Sequence, residues 1–177
     1  MRLFIAIDFP EPLKKQIAAI GQDLQRQMIS GRLTTSDNLH LTLVFIGETN
    51  RLSDVKQVLS TVKAAPFILK FGDVGRFRRD GGDIYWYGVQ NDPTLQKLYH
   101  DLDSGLRQAG FALESRPYRP HLTLGRQMTM QEAFDLRVFA GSALGLQTEV
   151  AEVCLMKSQR IANRQVYTKI AVQPLVG

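Results

Sequence analysis

His40-Leu41-Thr42-Leu43 and His121-Leu122-Thr123-Leu124 are the same tetrapeptide, placed 81 positions apart. The chain has three histidines, and these stretches hold two of them. In a half-buried strand alternate side chains share a face. The leucines of each copy can therefore face a core while the imidazole and hydroxyl face a groove. Two such strands brought together put two imidazoles and two hydroxyls around one small site.

The likeness continues outward. At the same offset Pro12 falls on Pro93, Glu11 on Asp92, and Leu3-Phe4-Ile5-Ala6-Ile7 on Ile84-Tyr85-Trp86-Tyr87-Gly88. A helix-length segment separates each first strand from its HLTL. This is the signature of a duplicated strand-helix-strand unit. The repeat runs approximately over 2–75 and 83–157, within a single bilobal domain covering 1–177. Read without a gap, it puts Phe4 and Tyr85, and likewise Ala6 and Tyr87, on the groove side.

Local pattern supplies the remaining elements. Residues 2–8 read as a strand. Leu13, Ile17, Ile20, Leu24 and Met28 follow helical spacing behind Pro12, so a helix is expected from Pro12 to about Met28. Residues 31–37 read as a polar loop, 39–46 as a strand, 53–64 as a helix, and 67–74 as a strand. An Arg/Gly loop is expected over 75–82 and a strand over 84–89. Asp92 caps a third helix that ends at Gly110. Residues 118–125 hold the second HLTL strand. Thr129 to Glu132 reads as a capping box that opens a short helix to about Phe139. A small-residue break is expected over 141–145, with strands over 146–157 and 165–172 joined by 158–164. The HLTL strands alternate, unlike the continuous apolar runs of buried parallel sheets. The pattern predicts an α+β fold with pseudo-twofold symmetry, its mostly antiparallel sheets lining a central groove and its helices outside.

Composition limits the function classes. No apolar run is long enough to span a bilayer. The start MRLFIAIDF turns polar too soon for a secretory leader. Cys154 is the only cysteine, which excludes an internal disulfide framework, and its apolar surroundings suit a buried inert thiol. A cytoplasmic monomer is expected. The net charge of +5 favours anionic partners such as nucleic acid and phosphate esters. Arginines cluster at 76, 78 and 79, and again at 116, 119 and 126.

Histidine titrates near neutrality, so two of them flanking a substrate can act as an acid–base pair. One imidazole takes a proton from a nucleophile while the other gives one to a leaving oxygen. Thr42 and Thr123 can hold nonbridging phosphate oxygens, and an arginine can stabilise their charge. Arg126 is the nearest candidate, but strict alternation places it on the leucine face. It needs a bulge or a strand end to turn inward. Phe4 either stacks a base from the groove side or packs in the core. His100, on the third helix, reads as a solvated rim residue. HExxH, CxxC, GxGxxG and Walker patterns are absent, so neither metal nor cofactor is expected.

Four stretches carry a family resemblance: RLFIAIDFP at 2–10, DNLHLTLVFIGE at 37–48, PYRPHLTLGR at 117–126, and LMKSQ with VYTKI across 155–170. With these the chain resembles the 2H phosphoesterase superfamily, and within it the bacterial and archaeal RNA 2′,3′-cyclic phosphodiesterases, also called 2′-5′ RNA ligases. The resemblance implies metal-independent opening of a 2′,3′-cyclic phosphate at an RNA end to leave a 2′-phosphate, with 2′-5′ ligation as the reverse reaction. It implies His40 as proton donor, His121 as proton acceptor, and Thr42, Thr123 and Arg126 as phosphate contacts. Tyr118, inside the third stretch, is a further substrate-binding candidate. The family's late pattern has a glycine where this chain has Asn163, a residue that tolerates positive φ. Two alternatives stay open: a phosphodiesterase for a small cyclic nucleotide or ADP-ribose cyclic phosphate, and a non-catalytic module that binds RNA ends.

Overall fold

The computed structural model describes residues 1–143 and 145–177. Among these, the elements run β1 (Arg2–Asp8), α1 (Glu11–Gln25), β2 (Met28–Leu33), a 3-10 turn at Ser36–Asn38, β3 (His40–Glu48), α2 (Leu52–Ser60), β4 (Phe67–Phe77) and β5 (Asp83–Val89). They continue with α3 (Pro93–Gln108), β6 (His121–Met130), α4 (Leu136–Ser142), β7 (Gln147–Val150), β8 (Glu152–Ile161) and β9 (Arg164–Pro174). One sheet has the order β3-β1-β8-β9 and the other β2-β6-β5-β4-β7. The strand pairings in both are antiparallel.

The two halves interlock. β1 pairs with β3, and β5 pairs with β6, each within its own half. β4, the last strand of the first half, instead lies beside β5 in the second sheet. β8, late in the second half, lies beside β1 in the first sheet.

Apolar spacing decides which faces are covered. Leu41 and Leu122 are fully buried, whereas His40, Thr42, His121 and Thr123 keep partial exposure. Leu95, Leu98, Leu102 and Leu106 fall at spacings of three and four on α3, and all are buried against the core. Burying each such leucine contributes about 1.5–3 kcal/mol. The Asp92 carboxylate accepts from Leu95 N at 2.9 Å and caps α3, Pro93 opens the helix, and Gly110 ends it with φ 84°. Cys154 is buried, and desolvation pushes its thiol up to about 11.

Several local expectations fail for tertiary reasons. α1 stops at Gln25, and Met28 opens β2, a polar edge strand that begins at the expected helix end and runs into the expected 31–37 loop. β2 hydrogen-bonds along β6, pairing Ser30 with Thr129. That keeps 126–130 extended, so Thr129 opens no helix; α4 starts later, capped by the Asp135 carboxylate accepting from Arg137 N at 2.8 Å. β4 runs on through Gly75, where a Cβ would stand 2.2 Å from the Trp86 indole. Glycine there admits the indole and is no loop signal. α2 ends at Ser60, short of Ala64. The strand expected over 146–157 divides at Ala151, β7 joining β4 in one sheet and β8 joining β1 in the other. In the expected 141–145 break, α4 extends to Ser142, and Leu144 lies outside the described residues. Ile161 pairs directly with Arg164, with Ala162 at φ 48° and Asn163 at φ 62° between them. A two-residue hairpin turn needs this left-handed pair.

Candidate active site

β3 and β6 deliver their histidines in the same way. His40 Nδ1 lies 2.7 Å from the Asn38 carbonyl oxygen, and His121 Nδ1 lies 2.6 Å from that of Arg119. A carbonyl can only accept, so Nδ1 carries the proton in each neutral ring and Nε2 is left as the basic atom. His40 Nε2 is 3.0 Å from Thr42 Oγ1. The Asn38 side chain donates to the Gln165 carbonyl at 2.8 Å, which fastens the entry of β3 to β9.

One cavity of about 480 Å³ is lined by His40, Thr42, His121, Thr123 and Arg126 together. Arg126 reaches it through a bulge. In the β5–β6 register Thr123 pairs with Trp86 and Gly125 with Tyr85, so Leu124 is the extra residue. A bulge of one residue reverses the parity of everything beyond it, and Arg126 turns to the groove side. The equivalent bulge falls on Leu43 in β3, between the pairs Ala6–Thr42 and Ile5–Val44. It turns Phe45 to the groove, where the ring lines the same cavity and stays 41% exposed.

The groove-side parity read for Tyr85 and Tyr87 is incorrect. Both are fully buried in the core, and the Tyr87 hydroxyl donates to the Ala143 carbonyl. Thr42 faces Ala6 across the strands while Thr123 faces Trp86, an offset of 80 rather than 81 in the first strands. That single-residue slip moves Trp86 to the groove and both tyrosines to the core.

Aromatic rings enclose each imidazole. Phe4 lies 4.9 Å from the His40 ring and Tyr167 meets it edge-on at 5.0 Å. Phe77 meets the His121 ring edge-on at 5.0 Å, with Trp86 at 6.3 Å. Phe4 is only 3% exposed, so its ring supports His40 and leaves little free face for a base. Tyr118 is half-buried outside this cavity, stacked on Tyr99 with centroids 4.1 Å apart, its hydroxyl donating to the Thr42 carbonyl at 3.3 Å. Burial raises that phenol above its ordinary value.

Burial depresses both imidazoles below the ordinary histidine value of 6.5, and Arg126 adds to the effect in each. The carbonyls of Asn38 and Arg119 oppose it. His40 alone has a carboxylate opposing it too: Asp8, its direct partner in the β1–β3 register. Burial raises the Asp8 carboxyl, but the ammonium groups of Lys14 at 2.8 Å and Lys169 at 3.1 Å outweigh that and hold it below the ordinary range.

The sequence reading missed Asn38, Phe45, Phe77 and Tyr167. Phe45 was detectable, since it sits at the same offset from Thr42 as Arg126 does from Thr123. The others come from β9, β4 and a turn that pattern alone does not bring to the histidines. The arginine clusters divide. Arg76 lies 3.5 Å from Asp83 and away from this cavity, whereas Arg79, Arg116 and Arg119 border an adjoining one of about 450 Å³. His100 is exposed, as expected.

Two His-x-Thr strands facing one cavity across paired antiparallel sheets define a two-histidine phosphoesterase architecture. The crystal structure of apo LigT from E. coli superposes with a TM-score of 0.83 at 27% identity, covering 99% of this chain and 98% of that one. A second LigT structure, complexed with 3′-AMP, gives the same values. An RNA 2′,3′-cyclic phosphodiesterase of Thermotoga maritima is 36% identical over 131 residues, 71% of this chain and 70% of the relative. One from Archaeoglobus fulgidus is 29% identical over 178 residues, 97% of this chain and 99% of the relative. The family model of the 2′-5′ RNA ligase superfamily matches residues 9–162, and the chain belongs to that superfamily.

Proposed function

We propose that this chain opens 2′,3′-cyclic phosphate ends of RNA to 2′-phosphates, with His40 and His121 as the acid–base pair. The observation that carries the reading is the single cavity into which both Nδ1-anchored imidazoles, both threonines and Arg126 converge. His121 Nε2 takes a proton from water as the water oxygen attacks phosphorus. The bond to the 3′-oxygen breaks as protonated His40 delivers its Nε2 proton there. The product is a 2′-phosphomonoester with a free 3′-hydroxyl. Thr42 and Thr123 donate hydrogen bonds to the nonbridging oxygens, and the Arg126 guanidinium offsets the charge that builds on them. Each proton transfer is worth about 10² to 10⁴ in rate.

The family, the names of the relatives, and the 3′-AMP complex of LigT support a ribonucleotide substrate. A metal-free step fits the donor set, because no group of three His, Cys, Asp or Glu side chains comes together among the described residues. We also assign the chain to the cytoplasm as a monomeric single domain containing the 2–75 and 83–157 repeat. The lone buried cysteine supports that placement, and no described helix is long and apolar enough to cross a membrane. Light scattering in solution checks the monomer.

The deciding experiment is phosphorus NMR of a 2′,3′-cyclic-phosphate oligonucleotide with the protein in excess EDTA. A 2′-monoester is the expected product. A 3′-monoester reverses the leaving oxygen, and a persistent cyclic signal refutes the reading.

A further inference from the structure

The catalytic cavity has a basic rim on one side. Arg2 lines it, and none of its lining residues is acidic. The Arg2 guanidinium stands 5.0 Å from the centroid of the half-exposed Phe45 ring and has no hydrogen-bond or ion-pair partner among the described residues. Glu48, its partner in the β1–β3 register, lies 3.4 Å from the terminal ammonium of Met1 instead.

Strand register locates this rim. Arg2 pairs with Ser158 on β8, Ser158 pairs with Tyr167 on β9, and Tyr167 meets the His40 ring edge-on. Arg2 is therefore on the His40 side of the groove. The adjoining cavity that contains His121 without His40 does not include it.

The same face runs out along the β8–β9 hairpin. Arg160 lies two residues past Ser158 with no register shift between them, so it shares that face about 7 Å further on. Gln165, its direct partner, also lines the catalytic cavity. Arg160 is exposed, and its guanidinium has no hydrogen-bond or ion-pair partner among the described residues. The hairpin is held in place. The Gln165 amide donates to Ser158 Oγ at 2.7 Å and to the Gln159 carbonyl at 3.0 Å. Asn38, whose carbonyl faces His40 Nδ1, donates to the Gln165 carbonyl. Two unpaired guanidinium groups thus stand in a row on an arm anchored beside the proton donor.

The proposed reaction gives that row a meaning. The 3′-oxygen leaves towards His40, so the terminal ribose lies on that side. Its 5′-oxygen carries the phosphate that joins it to the rest of the strand. A free nucleoside 2′,3′-cyclic phosphate has no such group. Guanidinium groups grip phosphate oxygens two at a time and without regard to the base.

We infer that Arg2 holds the phosphate on the 5′ side of the terminal nucleotide and Arg160 the phosphate one nucleotide further back, so that the strand leaves along the β8–β9 hairpin. The inference rests on the acid–base assignment above. It makes these two arginines the determinants of substrate length, favouring a cyclic phosphate at the end of a strand over the same group on a free nucleoside.

The test compares kcat/KM for a nucleoside 2′,3′-cyclic phosphate with those for a dinucleotide and a trinucleotide ending in the same group, followed by chromatography of the products. The unaltered protein is expected to gain about tenfold from the first to the second, the worth of a hydrogen-bonded charge. A further gain of about threefold is expected from the second to the third, since Arg160 is exposed. Arg2→Ala is expected to abolish the first gain and Arg160→Ala the second. The logarithmic salt dependence for the trinucleotide is expected to flatten by roughly 0.7 with each arginine removed. Arg137→Ala, which removes the same charge from α4 far from the hairpin, is expected to keep both gains. Equal rates for the three substrates overturn this inference alone, as do gains that survive both substitutions. Gains lost equally in Arg137→Ala also overturn it, because net charge then accounts for them. Absence of hydrolysis of all three substrates by the unaltered protein overturns the phosphodiesterase reading as well.

Discussion

β3 and β6 carry the same four residues and bulge at the fourth, yet their surroundings differ. The β3 bulge presents Phe45 to the groove, and the β6 bulge presents Arg126. His40 faces Asp8 across its strand pair, and His121 faces Gly88. The backbone device is shared while the side chains aimed by it have diverged. β3 supplies an apolar wall and sets its histidine opposite a proton-retaining carboxylate on β1; β6 supplies the cation. Such asymmetry is what two histidines need if one is to arrive protonated and the other neutral.

The strongest test of this division removes each imidazole. His40→Ala and His121→Ala are each expected to lower kcat by about 10² to 10⁴, measured on a cyclic-phosphate oligonucleotide. The pH profiles of the residual activity separate the roles. Loss of the acid abolishes the alkaline limb, and loss of the base abolishes the acidic one. Identical residual profiles in the two variants contradict the assignment.

Arg126→Ala is expected to reduce kcat/KM by about ten- to a hundredfold, the worth of a hydrogen bond to a charged group. Phe45→Ala is expected to cost far less in hydrolysis. Equal effects from steady-state kinetics on both variants erase the distinction between the bulges.

Both imidazoles are held below 6.5 by burial, so the kcat/KM optimum is expected below that value, as a pH series reads directly. The sign for stability follows. Below 6.5 the unfolded chain takes up protons that the folded histidines resist, so stability falls as pH drops through that value. Asp8→Asn removes the carboxylate that favours protonated His40. It is expected to move the His40 titration, followed by NMR, further down while that of His121 stays in place.

The smallest effect concerns the helices that follow β1 and β5. Asp92 caps α3 through its side chain, whereas α1 starts behind Pro10 with no side-chain cap. Asp92→Ala is expected to cost about 1 kcal/mol and Glu11→Ala a few tenths, by urea titration.

The HLTL alternation was legible because a two-residue period needs no tertiary information, and it put His40, Thr42, His121 and Thr123 on the face that lines one cavity. Arg126 was legible only with an allowance for a bulge, since bulges are set by the facing strand. The slip that exchanged Trp86 for its tyrosine neighbours has the same origin. β2 was invisible because its residues are polar and its pairing with β6 is long-range. Asn163 was readable as a turn residue, since asparagine tolerates the left-handed backbone its hairpin adopts.

The interlocking of β4 and β8 has a consequence for handling the molecule as fragments. A cut in the turn between β4 and β5 leaves a first piece whose sheet lacks β8 and β9 and a second whose sheet lacks β2 and β4. Each piece exposes an unpaired edge beside an apolar face, the condition for aggregation. Mixed, the pieces supply each other's missing strands. Split at that turn, the protein is expected to form a complementation pair, with cyclic-phosphate hydrolysis recovered on mixing as the readout of reassembly.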